Sequence, residues 1–187
     1  MNLEDVKAYL EEGSKIRISL DVDKILNLGA EILKCFKIGS KIILFGNGGS
    51  AADAQHIAAE FVGRFEKERR PLPAMVLHGN TSSLTAIGND YGFDDVYSRQ
   101  IIAFAEKGDV IIALSTSGNS KNVLRGIEVA VNKGCEVFGI TGKEGGKLRE
   151  LIPKNRLIMI PSSRTSYIQE STIAIGHIIS KIVEDSL

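Results

Sequence analysis

The chain has 187 residues, 23 of them Lys or Arg and 23 Asp or Glu, so its formal net charge is zero. That length is a prior for one domain that buries roughly 70% of its unfolded surface, and 43% hydrophobic with 25% charged residues excludes intrinsic disorder. A neutral chain lacks the excess of Lys and Arg that broad binding to nucleic acid or to an anionic membrane needs, while a local anion site stays open.

The N-terminus, MNLEDVKAYLEEGSK, is acidic and amphipathic. It has no basic start and no apolar stretch, so it does not read as a secretion signal. A weak helical pattern covers Leu3–Glu12. A stronger one covers Asp21–Phe36, with Ile25, Leu26, Leu28, Ile32 and Leu33 as its apolar stripe. Then short apolar runs alternate with helical stretches. Lys41–Phe45 reads as a strand and Ala51–Phe65 as a helix. Ala74–Leu77 is a second strand, followed by helical stretches at Ser82–Ile87 and Asp95–Glu106. Val110–Leu114 is a third strand, leading to a helix over Asn119–Lys133. Val137–Ile140 and Leu157–Ile160 complete the strands, with a short helix at Lys147–Leu151 between them. A last helix runs over Ser166–Glu184.

The strands are apolar nearly throughout, as expected of strands covered on both faces. Alternation of strand and helix predicts an α/β fold: a doubly wound, five-stranded parallel sheet flanked by helices. The expected organisation is a single domain over 1–187, with N-terminal helices in 1–38 and the α/β core in 39–187. No apolar run reaches the ~18 residues of a membrane span. Cys35 and Cys135 fit neither a disulfide framework nor a zinc spacing and sit in apolar surroundings, so both read as buried thiols. A reducing, cytoplasmic setting is the expectation.

Ligands of such sheets bind beyond the carboxyl ends of the strands. All five exits here are rich in Gly, Ser and Thr. The first, Gly46-Asn47-Gly48-Gly49-Ser50-Ala51, satisfies a dinucleotide-binding pattern. Strand 2, however, ends in Leu77-His78-Gly79-Asn80, without the carboxylate that a nicotinamide ribose needs. What survives is a glycine loop whose backbone N–H groups can approach an anion or a sugar oxygen. The third exit, Ser115-Thr116-Ser117-Gly118-Asn119-Ser120, places four hydroxyls around a glycine before a helix. Hydroxyls and amides can hold a phosphate without Lys or Arg. The alternative is a plain turn with an N-cap.

His56, Glu60 and Arg64 follow the glycine loop at i, i+4 and i+8 on a largely apolar helix. Such a His and carboxylate can be a metal pair, an acid/base pair, or only a surface ion pair. The last helix carries Gln169 and His177 in an apolar stretch, where polar groups need partners. Ser166-x-x-Gln169 also fits a capping box, and His177 a satisfied core histidine. Eight residues rise about 12 Å along a helix. If Gln169 and His177 serve one site, two copies of this helix packed antiparallel would each contribute one of them, which predicts sites at a subunit interface.

At these residues the chain resembles the phosphoheptose isomerases, the sedoheptulose 7-phosphate isomerases of the sugar-isomerase (SIS) superfamily. The resemblance is carried by Gly46–His56, by Ala86-Ile87-Gly88-Asn89-Asp90-Tyr91-Gly92, by Ser115–Ser120, and by Ile168-Gln169-Glu170 with His177. It covers essentially the whole chain. It implies the SIS fold, a homotetramer, and conversion of sedoheptulose 7-phosphate to D-glycero-D-manno-heptose 7-phosphate at the start of bacterial heptose synthesis. It implies one zinc ion per subunit on His56, Glu60, Gln169 and His177. It implies phosphate contacts from Ser115, Thr116, Ser117 and Ser120, and sugar contacts from Asn47, Gly48, Gly49, Asn89, Asp90 and Gln169, with Ser50 and Arg64 lining the site. Some family members carry an Asp where this chain has Ser166. Aldose–ketose chemistry then makes Glu60 the base that moves a proton between C1 and C2, and His177 its partner acid/base.

The competing readings are an isomerase of another phosphosugar in the same superfamily and a non-catalytic relative that binds the replication initiator DnaA. Arg64–Pro73 and Leu84–Ile87 also resemble the latter. Glu60, Asp90 and His177 discriminate, because an interaction module has no use for them.

Overall fold

The computed structural model describes residues 1–187. Five strands, β1 (Ile42–Gly46), β2 (Ala74–Val76), β3 (Val110–Ser115), β4 (Glu136–Gly142) and β5 (Leu157–Ile160), form one sheet in the order β2-β1-β3-β4-β5. Every pairing is parallel, with Leu44 opposite Val76 on one side and Ile112 on the other. The order reverses direction between β1 and β3. That is the switch point where open α/β sheets take their ligands.

Helices α1 (Leu3–Ile18), α2 (Val22–Lys37), α3 (Gly49–Val62) and α8 (Thr165–Asp185) cover one face. They meet Ile42, Leu44, Val110, Ile112, Phe138 and Ile158 there. On the other face lie α4 (Thr81–Tyr91), α5 (Ser98–Phe104), α6 (Lys121–Asn132) and the single turn α7 (Leu148–Leu151). They pack on Ile43, Phe45, Ile111, Ala113 and Val137. Successive strand residues thus feed opposite cores, which is why the strands are apolar without alternation. The doubly wound five-stranded sheet is as the sequence pattern predicts.

The element ends differ from expectation for local reasons. α1 runs to Ile18 rather than Glu12, started by a reciprocal Asn2–Asp5 capping box. Asp21 is the N-cap of α2, accepting from the Lys24 amide, rather than its first residue. The stretch expected as one helix over Asp95–Glu106 is a 3-10 turn at Phe93–Asp95 followed by α5. α3 ends at Val62, so Arg64 lies beyond it and does not extend the His56–Glu60 face. Both cysteines are buried, and burial pushes their thiols up to about 11. No helix is long and apolar enough to cross a membrane.

Candidate active site

α3 and α8 run parallel, side by side, in a fixed register. A Cβ on Gly49 would overlap the Gln169 amide, and a Cβ on Gly176 would overlap the Ile57 side chain. His56 Nε2 faces His177 Nε2 at 2.9 Å. The Phe65 amide donates to Glu184 Oε1 at 3.2 Å. The register puts Gln169 at the glycine-loop end and His177 about 12 Å further along. His177 therefore joins His56 and Glu60, while Gln169 of the same chain stays near Gly49.

His56, Glu60 and His177 converge: one ligand atom from each lies within 4.8 Å of the others. Glu60 Oε1 is 3.2 Å from His56 Nε2. Donor atoms at ~2.0–2.1 Å from a tetrahedral zinc lie roughly 3.4 Å apart, so this set fits such an ion. Two imidazoles with nitrogens face to face, beside a carboxylate, also form a donor set with little else to satisfy it. The Phe65 ring stacks on His177 with centroids 5.6 Å apart. The cluster is open: the His56 side chain is 48% exposed, and Val62 and Ile178 expose apolar surface beside it. A satisfied core histidine is therefore not what His177 is.

The glycine loop is held from beneath. Asn47 and Asn122 exchange amide hydrogen bonds at 2.8 and 2.9 Å. The Tyr97 hydroxyl donates to the Gly46 carbonyl, and burial pushes that phenol up to about 12, so it keeps its proton. His78 Nε2 meets the Ala51 carbonyl at 2.9 Å, and burial lowers the pKa of its ring. A neutral ring that donates through Nε2 fits that contact. Gly48 has φ +57°, open to a glycine at little cost. Ser50, expected to line the site, is instead buried in the first turn of α3 against Gly46.

In the hydroxyl loop, Ser115 Oγ is 3.3 Å from Ser120 Oγ and accepts from the Gly118 amide. Ser117 Oγ accepts from the Asn119 amide. Ser120 sits at the N-cap position of α6, yet its side chain makes no capping bond. Its hydroxyl thus faces Ser115 rather than the helix amides. Gly118, at φ +68°, packs against the backbone of Gly145 and Gly146, which braces the loop. Thr116 is half-buried at the β3 exit and Ser117 exposed.

The remaining expected residues stand apart within one chain. Asn89 and Asp90 are exposed near the end of α4 and bond each other. Arg64 is exposed and lies 3.9 Å from Glu68. Gln169 forms no capping box: α8 starts at Thr165, with Arg164 as N-cap. It lines an open recess of about 560 Å³ with Asp53, Ser166, Glu170 and Ile173.

Asp53 went unnoticed in the sequence. One of its oxygens is buried without a partner. Burial pushes its carboxyl up to about 6, against a smaller downward pull from His56. Asn122, Tyr97 and His78 were missed for a simpler reason: each supports the loop from another element, and no local spacing marks them.

The SIS domain family matches residues 5–142. A phosphoheptose isomerase of Nitratiruptor sp. is 49% identical over 184 residues, covering 98% of this chain and 95% of that protein. The structure of phosphoheptose isomerase GmhA from Neisseria gonorrhoeae superposes with a TM-score of 0.91 at 39% identity, covering 98% of both chains. A phosphoheptose isomerase structure from Francisella tularensis gives 0.93 at 31% identity, over 99% of this chain and 100% of that one. With that agreement along its whole length, the chain belongs to the phosphoheptose isomerase family of SIS-domain proteins.

Proposed function

We propose that this protein is an aldose–ketose isomerase that converts sedoheptulose 7-phosphate to D-glycero-D-manno-heptose 7-phosphate. The observation that carries the reading is the convergence of His56, Glu60 and His177 in a fold whose exits offer a glycine loop and a hydroxyl loop. The full-length relatives bear the same activity in their names.

The reaction moves a proton between C1 and C2 through an enediol(ate), and one base serves both carbons. Glu60 is suited to it. Its Oε1 faces His56, while its second oxygen makes no hydrogen bond within the protein and is left to take and return the proton. His177 would pass a proton between O1 and O2, and the stacking of Phe65 on its ring supports that role. Zinc, one per subunit, on His56, Glu60 and His177 with Gln169 as a further ligand, supplies Lewis-acid polarisation of the carbonyl when bound. Ser115, Thr116, Ser117 and Ser120 hold the phosphate. Asn47, Gly48, Gly49, Asn89, Asp90 and Gln169 contact the sugar, and Arg64 lines the site.

Within one chain the glycine loop and Glu60 are separated by three turns of α3. Gln169 likewise stands two turns from His177. A site using all of them draws on more than one subunit, which supports a homotetramer with sites at its interfaces. Exposed Val62 and Ile178 beside the half-exposed His56 fit a covered face. We take the chain to be one domain, because α1 and α2 share a core with α3 and α8, and to work in the cytoplasm, where its thiols stay reduced.

Glu60→Gln tests the assignment. Loss of the base is expected to lower kcat about a thousand-fold with substrate binding little changed. Following the C1 and C2 protons of sedoheptulose 7-phosphate by NMR reads both. Near-native kcat in this variant excludes Glu60 as the base.

A further inference from the structure

Just past the His56–Glu60–His177 cluster, two charged side chains are almost wholly enclosed. The Glu184 side chain is 1% exposed and the Arg69 side chain 8%. Desolvating a charge is costly unless it is paired and hydrogen-bonded. Here the pairing is extensive. Glu184 Oε1 lies 3.3 Å from Arg69 Nε, an ion pair by distance in which Nε is not aligned to donate a hydrogen bond. Its two oxygens accept the amides of Phe65, Glu66 and Lys67 at 3.2, 2.9 and 2.9 Å. Arg69 donates in turn to the carbonyls of Glu60 and Phe61, the latter at 2.9 Å, and to those of Gly63 and Arg70. The carbonyls of Glu60 and Phe61 belong to the last turn of α3, where no amide of the helix itself follows to donate to them; the Phe61 carbonyl also accepts the Leu72 amide at 3.0 Å. A guanidinium there also complements the helix dipole.

This pair reaches both halves of the cluster. Arg69 holds the backbone of Glu60 itself. Glu184 stands seven residues after His177, two turns along the same face of α8. The amides it binds begin at Phe65, whose ring stacks on His177. The chain between α3 and β2 is otherwise without regular structure. We propose that Arg69 and Glu184 are positioning residues that lock the end of α3 to α8 and so set the convergence of His56, Glu60 and His177. Neither touches substrate or cation. The proposal rests on reading that cluster as a metal site.

The test uses the full chain, stripped of metal by chelator, in five variants: Glu184→Gln, Arg69→Lys, Phe65→Leu, His56→Ala and, as a control, Lys181→Ala. Zn²⁺ affinity is measured by calorimetry, Co²⁺ absorption reports ligand geometry, and melting without metal reports stability. We expect Glu184→Gln and Arg69→Lys to weaken Zn²⁺ binding about 10- to 100-fold, the range found when residues behind metal ligands are changed. The Co²⁺ spectrum should shift, and kcat should fall more than KM rises. Phe65→Leu should reproduce part of the spectral shift with little change in melting. Lys181→Ala, which breaks exposed pairs with Glu66 and Asp185 on the same surface, should leave Zn²⁺ affinity and spectrum unchanged.

If Glu184→Gln and Arg69→Lys melt earlier yet bind Zn²⁺ and absorb as the wild type does, the pair is merely structural and the proposal is overturned. Should either fail to fold, Phe65→Leu decides: an unchanged spectrum overturns it. If His56→Ala binds Zn²⁺ as tightly as wild type, the metal reading of the cluster itself is what fails, and the positioning role with it.

Discussion

Asp53 shows what one side chain's surroundings do. Its carboxyl is partly desolvated, one oxygen has no partner, and its pKa is pushed up to about 6 from 3.8. The folded protein therefore prefers the neutral acid. Stability from this group is fully present below about pH 4 and is lost as pH rises through about 6. The full shift corresponds to roughly 3 kcal/mol; partial exposure reduces that to about 1 kcal/mol. Asp53→Asn, kept in chelator, should thus be more stable than wild type by about 1 kcal/mol at pH 8 and equal to it at pH 4. Urea midpoints at the two values check this. A difference that grows on acidification would contradict the sign. The residue was illegible in the sequence because GNGGSAADAQH looks like a loop and a helix start. Nothing in the string says which carboxylate ends up with a buried oxygen and no partner.

At the scale of elements, the close approach of α3 and α8 depends on glycine. Gly176 meets Ile57, one residue from both cluster histidines, and its Cα takes the place a side chain would need. Gly176→Ala should push the helices apart, costing about 1–3 kcal/mol as overpacking does, and should loosen the His56–His177 contact. Denaturant titration reads the first effect and Zn²⁺ affinity the second. Wild-type values for both would show that the helices have slack.

The elements themselves were largely legible. Five apolar runs gave the five strands, and the hydroxyl loop stood out because four of its six residues carry hydroxyls. What escaped was contact across distance. Asn122 supports Asn47 from 75 residues away, and Glu184 reaches Phe65 across 119. Helix ends escaped too. His56, Glu60 and Arg64 share a helical spacing, but α3 stops at Val62, and Arg64 turns to Glu68. Conversely, the spacing of Gln169 and His177 was informative. Helix rise alone kept them apart, and the structure places them at separate points on α8.

For the whole molecule, the proposal that subunits share their sites makes a prediction. If Glu60 of one subunit works with Gln169 of another, chains carrying Glu60→Gln and chains carrying Gln169→Ala are each inactive alone. Mixed at equal amounts by co-expression, they should regain about one quarter of wild-type activity, the share of sites that receive both intact residues by random pairing. No recovery would place both residues of each site on one chain. Size-exclusion chromatography with light scattering confirms that the mixed species is an oligomer.

The parallel alignment of α3 and α8 has an electrostatic consequence. Each helix behaves as about half a positive charge at its start and half a negative charge at its end. Because both point the same way, their starts lie together near Gly49 and Gln169, and their ends lie together near Val62 and Asp185. Like ends repel, so the two tails need counter-charge. Arg69, Lys67 and Lys181 gather there, Lys67 and Lys181 each paired with Asp185. The two heads point the other way, toward the glycine loop. A chain with no net charge thus carries a lasting polarity along one helix pair, positive beside the glycine loop and met by the Arg69 guanidinium on the carbonyls at its far end.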